Sequence, residues 1–112
     1  MKYINLNNLE NKTVSHNRNI QKKVIIENNV VPNLTNFSQA VFKPQQIAHI
    51  HSHSDMWEVF YVESGSGLMI VNQQEYQLTR GVCIMVEPED THEIINNSDV
   101  DLVLNYFGIV PS

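Results

Sequence analysis

The chain has 112 residues, 42% of them hydrophobic, a formal net charge of -5 and a single cysteine. A chain of this length buries roughly two-thirds of its unfolded surface, enough for one modest core, so one domain is expected. Net negative charge without a basic patch excludes nucleic acid and anionic membrane surfaces as partners. One cysteine excludes an internal disulfide and points to a reducing compartment. No apolar run approaches the ~18 residues of a membrane span, and no apolar stretch follows Lys2 to make a signal peptide. A cytoplasmic domain is the expectation.

Residues 1 to 20 are polar and Asn-rich and read as an arm, part extended and part loose. Lys22 to Ile26 is a β-branched run and a strand, and Asn28-Asn29 with Val31-Pro32-Asn33 is turn material. Phe37 to Phe42 reads as a strand stopped by Pro44. Ile47 to His51 alternates, Val59 to Val62 is rich in strand formers, and Gly65-Ser66-Gly67 reads as a turn. Leu68 to Val71 and Tyr76 to Leu78 flank a hairpin tip at Asn72-Gln73-Gln74-Glu75. Val82 to Val86 is a strand closed by Pro88, Glu93 to Ile95 is another, and Asp101 to Phe107 is the last long one. Short strands recurring about every 8–12 residues, with turn signals between them, predict an all-β sandwich or barrel. No stretch carries a helical stripe. The division expected is an arm over 1–36 with one or two strands and a barrel over 37–112.

The chemistry concentrates in His51-Ser52-His53, Glu58 and His92. Residues spaced i, i+2 on a strand share a face, so His49, His51 and His53 are expected on one side. Glu58 opens the next strand, with Phe60 and Val62 on its face. If those faces form a barrel interior, the carboxylate needs a cation or a hydrogen bond, because unpaired burial costs several kcal/mol. Three imidazoles and one carboxylate suit a first-row divalent metal.

The spacing of these residues resembles the cupin superfamily. The first cupin motif is matched by His51-x-His53, four residues, Glu58, six residues and Gly65; Gln45 stands where the motif opens with glycine. The second is matched by Gly81, Pro88, His92 and Asn96. The departures are Val82, where Asp is usual, and Glu87 and Glu89, where Pro and Gly are common. The resemblance covers roughly residues 40 to 107. It implies a single-domain jelly-roll β-barrel. One divalent transition metal (Fe, Mn, Ni, Co or Zn) would be held by His51, His53, Glu58 and His92. His49, Phe60 and Asn96 are expected to line the pocket.

For function, the resemblance implies a metal-dependent cupin acting on a small organic molecule. A dioxygenase is the preferred enzyme class, with an isomerase also open, because a His-rich site with vacant positions suits Fe(II). The alternative is a non-catalytic, metal-dependent ligand-binding or sensor module. Small cupins pair as homodimers, and the N-terminal arm could supply the shared edge. Trp57 and Tyr61, opposite in facing to Glu58, read as packing or an oligomer contact. Met56, Met69 and Met85 read as core filler. Cys83 reads as inert, its facing open. The acidic residues Glu87, Glu89, Asp90 and Glu93 crowd a turn that resembles the rim of the metal site. Only Lys43 and Arg80 are expected near the barrel to grip an acid.

Overall fold

The structure is a computed structural model, described for residues 1–15 and 17–112. Ten strands form two antiparallel sheets: β1 (Lys12–Val14), β2 (Asn17–Ile26), β3 (Leu34–Phe42), β4 (Ile47–His51), β5 (Trp57–Ser64), β6 (Ser66–Val71), β7 (Gln74–Thr79), β8 (Cys83–Val86), β9 (His92–Ile95) and β10 (Leu102–Ile109). The larger sheet runs β1-β2-β3-β10-β5-β8 and the smaller β4-β9-β6-β7. This is the expected all-β, jelly-roll arrangement. The helical element among the described residues is a single 3-10 turn at Leu6–Asn8. No helix is long and apolar enough to cross a membrane. The first 36 residues hold β1, β2 and the start of β3; β2 begins at Asn17, and β1 pairs with it.

Period-two alternation builds the core. Glu58, Phe60 and Val62 of β5 point inward, while Trp57 and Tyr61 face out. Leu102 and Leu104 of β10 meet Ala40 and Phe42 of β3 through direct register pairs, and Leu104 pairs with Val62. From the facing sheet Ala48, Met69, Leu78 and Ile94 close the core. The apolar area removed from water there, at roughly 25 cal/mol per Å², is what holds the two sheets together.

Four turns with positive φ set the path of the chain. Asn72 and Gln73, both at positive φ, make the two-residue hairpin between β6 and β7, the geometry that matches strand twist. Gln74 and Glu75 therefore belong to β7 and not to the tip. Gly65 (φ 84) is the sole residue between β5 and β6, where the chain leaves one sheet for the other. A Cβ there would strike the carbonyl of Asp101. The expected Gly65-Ser66-Gly67 turn is thus a corner, with Ser66 and Gly67 already in β6. Gln45 and Glu89 have φ of 72 and 74. The two places where glycine is replaced in the cupin motifs thus retain the left-handed backbone without it.

Met85 is not the core filler expected, and the open facing of Cys83 is resolved. Met85 is exposed on edge strand β8, because Val86 and Ile84 take the inner face; Cys83 shares Met85's exposure. Met69 is buried and Met56 half-buried.

Candidate metal centre

His51, His53, Glu58 and His92 come together at one end of the space between the sheets. One donor atom from each lies within 4.8 Å of all the others. An ion bound at ~2.1 Å sets its donors roughly 3–4 Å apart, so the cluster is close to a coordination shell. Strand pairing does the positioning. His51 on β4 is the register partner of His92 on β9, and Glu58 reaches them from the facing sheet. His53 follows β4, and its carbonyl accepts the Glu89 N–H at 2.7 Å, which ties the β8–β9 loop to it.

The His51 and His92 imidazoles are aimed by their backbone surroundings. His51 Nδ1 lies 2.8 Å from the His49 carbonyl, and His92 Nδ1 lies 3.3 Å from the Asp90 carbonyl. A carbonyl accepts only from N–H, so these contacts place the proton on Nδ1 and turn the Nε2 lone pair toward Glu58. Glu58 Oε1 is 3.2 Å from His92 Nε2 and 3.3 Å from His53 Nε2. Oε1 and His92 Nε2 are buried with no hydrogen-bond partner among the described residues, and the His92 side chain is 1% exposed. Two buried lone pairs face each other, an arrangement that costs several kcal/mol unless a cation lies between them. The donor set therefore fits a divalent transition metal held by these four residues.

The loop carrying His92 is built from polar groups that the sequence reading assigned to a rim. Asp90 accepts from Asn72 Nδ2 and from the Glu87 N–H, each at 2.8 Å. These bonds, the Asn72 one foremost, with help from His92, hold its carboxyl below the usual range. Asn72 Oδ1 also accepts from the Thr91 N–H at 3.0 Å. Asp90 thus braces the loop, while Glu87 and Glu89 remain exposed.

A cavity of about 260 Å³ opens from the cluster, lined on the larger sheet by Lys22, Ala40, Phe60, Leu104 and Tyr106 and on the smaller by Ala48 and Ile94. At ~30 Å³ per water this holds the equivalent of roughly nine waters, a small-molecule volume. Phe60 lines it as expected, stacked on Tyr106 with ring centroids 5.7 Å apart.

His49 does not line the cavity. The β4–β9 register slips by one residue between Ala48 and His51. This bulge turns Ala48 and His51 inward and leaves His49 and Ile50 outside, Ile50 at 60% exposure. What His49 contributes is its carbonyl, not its ring. Asn96 is also displaced from its expected role. It is fully buried, yet its side chain donates to the carbonyls of Phe42 and Val100 and accepts from Ser98, away from the cavity lining.

Two cavity residues escaped the sequence reading. Lys22, not Lys43 or Arg80, is the cation that lines the cavity; the other two are exposed. The signal was present in Ile20-x-Lys22-x-Val24, a charge at an inward position of an alternating run. Burial lowers the Lys22 pKa, Lys12 lowers it further, and Glu27 partly offsets both. Tyr106 is the second. Burial pushes its hydroxyl up to about 12 despite a hydrogen bond with Ser38, whose own hydroxyl donates to Asn36 Oδ1 at 2.6 Å.

Residues 38–108 match the Cupin domain family. The chain belongs to this family. A search of solved structures supports the same fold. The cupin resembles a predicted oxalate decarboxylase of Thermotoga maritima with a TM-score of 0.91 at 16% identity, over 98% of this chain and 100% of that one. It resembles KdgF from Halomonas sp. with a TM-score of 0.82 at 16% identity, over 100% and 96%. It also resembles the polyketide cyclase RemF from Streptomyces resistomycificus with a TM-score of 0.83 at 13% identity, over 97% and 79%. Among curated sequences, an uncharacterized protein of Methanocaldococcus jannaschii is 30% identical over 53 residues, which are 47% of this cupin and 42% of that relative. The match thus spans less than half of the relative's length.

Proposed function

We propose that this cupin holds one divalent transition metal at His51, His53, Glu58 and His92 and acts on a small organic molecule bound in the adjoining cavity. The observation that carries the reading is the pair of buried, unpartnered donors, Glu58 Oε1 and His92 Nε2, facing each other 3.2 Å apart. A divalent ion with open positions polarises a carbonyl or enolate oxygen, lowers the pKa of water, or, as iron, supports dioxygen chemistry. The apolar walls exclude water and orient the substrate. Dioxygenation is the preferred reaction, because the donor set suits Fe(II). The structural relatives above include a predicted oxalate decarboxylase and a polyketide cyclase, so the fold alone selects no reaction.

One observation favours the non-catalytic alternative. With His49 outside, the titratable groups lining the cavity beyond the four donors are, among the described residues, Lys22 and Tyr106. Tyr106 is held protonated far above neutral pH, which leaves Lys22, its pKa lowered by burial, as the one candidate general base among them. Elemental analysis and metal titration test the site, with the double substitution His51→Ala and His92→Ala as control. Loss of bound metal with the fold retained is the expected result, and equal metal content in both proteins would sink the assignment. Oxygen uptake by the Fe(II)-loaded protein with thiols, catechols and diketones separates the two readings. Ligand-induced stabilisation without turnover favours the sensor. Pairing of two copies is part of the proposal, supported by the exposed Trp57, Tyr61 and Met85 on the outer face of the larger sheet. Sedimentation of the full chain as a monomer would remove it.

A further inference from the structure

Lys22 is unexplained by the metal site. Its register partners are Ala40 on β3 and Lys12 on β1. Ile20, two residues before it, is fully buried on the same face. Lys22 therefore stands on the inner face and lines the cavity, together with Ser15, Thr35 and Asn36. Lys12 directly opposite is paired with Glu27 at 3.2 Å. Lys22 makes no hydrogen bond or ion pair among the described residues. Like charges opposite one another on antiparallel strands are destabilising, and Glu27, which is engaged by Lys12, only partly offsets the pair. A lysine that supported only the fold would meet a carboxylate of its own here. None of the other described residues around the cavity supplies one except Glu58, at the metal end.

Position relative to that end is fixed by register. Lys22 pairs with Ala40, Ala40 with Leu104, and Gly108, four residues beyond Leu104, pairs with Glu58. Three strand spacings and four residues put the two Cα atoms about 20 Å apart along the sheet. Ala40, Leu104 and Phe60 wall the interval with apolar surface.

We propose that Lys22 anchors a ligand carboxylate, and that the ligand crosses the cavity with a hydrocarbon middle and a metal-ligating oxygen at its far end. The proposal rests on the metal-site reading above. A single cation matches a carboxylate monoanion; a phosphate dianion would keep uncompensated charge in an apolar chamber. Binding supplies a second counter-charge to the Lys12–Lys22 pair, which has only Glu27 to share.

Isothermal titration of the metal-loaded full chain with glutarate, adipate and pimelate, each beside its monomethyl ester, tests this. The ester has a single carboxylate, which can meet the metal or Lys22 but not both, so in either orientation it loses one of the two charged contacts. At least one diacid should bind about tenfold or more tightly than its ester, the size of a charge-assisted hydrogen bond. Lys22→Gln should erase that difference. Equal affinities of diacid and ester for the unsubstituted protein overturn the Lys22 assignment. So does failure of every diacid to bind, or a diacid preference that survives in Lys22→Gln. Metal content measured on the same sample keeps the two levels distinct: a chain that takes up no metal overturns the site reading and this proposal with it.

Discussion

Asn96 gives the sharpest test of side-chain placement, because the sequence motif suggests a cavity residue and the fold makes it a staple. Its Nδ2 donates to Phe42 O and Val100 O, both at 2.8 Å, and its Oδ1 accepts from Ser98 N and Ser98 Oγ at 2.9 and 2.7 Å. Its backbone N–H and carbonyl bond to Gln46 and Gln45. One amide thus fastens the ends of β3, β4 and the loop before β10. In Asn96→Ala, four bonds at ~1 kcal/mol each disappear, and the Phe42 carbonyl stays buried without a partner, for a loss of about 4 kcal/mol. That is a large share of the roughly 5–15 kcal/mol available to a small domain. Asn96→Asp should fare no better near neutral pH, since a carboxylate would face two carbonyl oxygens. The introduced group would have a raised pKa in the folded state, so its penalty applies at high pH and shrinks as pH falls through that pKa. Urea denaturation with the metal chelated isolates the fold from metal linkage. A loss below about 1 kcal/mol in Asn96→Ala, or an effect confined to ligand affinity, would refute the staple and restore the cavity role.

Other outcomes follow from the same structure. Glu58→Gln should weaken metal affinity about 100-fold or more, since loss of even an outer partner costs 10–100-fold. In the metal-free protein it should leave melting unchanged or higher, because it removes an uncompensated buried charge. Calorimetric titration and melting of the same variant check both signs. Gln45→Gly and Glu89→Gly should each stabilise by about 1 kcal/mol, or about 4 °C in melting temperature, because both positions lie at positive φ. A decrease at both would contradict the strain argument. Tyr106 titrates at about 12 when folded against 10.0 otherwise. The unfolded chain loses that proton first, so stability should fall by about 2–3 kcal/mol between pH 10 and 12. Denaturation across that range should show a flatter slope in Tyr106→Phe.

The four residues of the proposed metal site were legible because their information is local. His51 and His53 sit two apart, Glu58 follows after a short turn, and His92 comes after a Gly–Pro stretch; side-chain chemistry and spacing suffice to single them out. The inward row Glu58, Phe60, Val62 was legible for the same reason, as period two survives wherever a strand is regular. His49 failed because parity breaks at a bulge. The extra residue in β4 exists only relative to β9, and nothing in Ile47-Ala48-His49-Ile50-His51 marks it. The facing of Cys83 and Met85 was likewise undecidable in isolation, since either parity buries a hydrophobic pair; pairing with β5 chose Val86 and Ile84.

By itself, then, the sequence determined an all-β chain and the identity of the residues able to share an ion, because strand alternation, turn chemistry and ligand type are written within a few residues. Tertiary structure alone decided which groups meet. Lys22 enters the cavity only because β2 lies beside β3, and Asn96 becomes a staple only because Phe42 and Val100, far apart in the chain, present their carbonyls to it. Register and sheet crossing are long-range choices, settled by the burial of whole faces and not by any one segment.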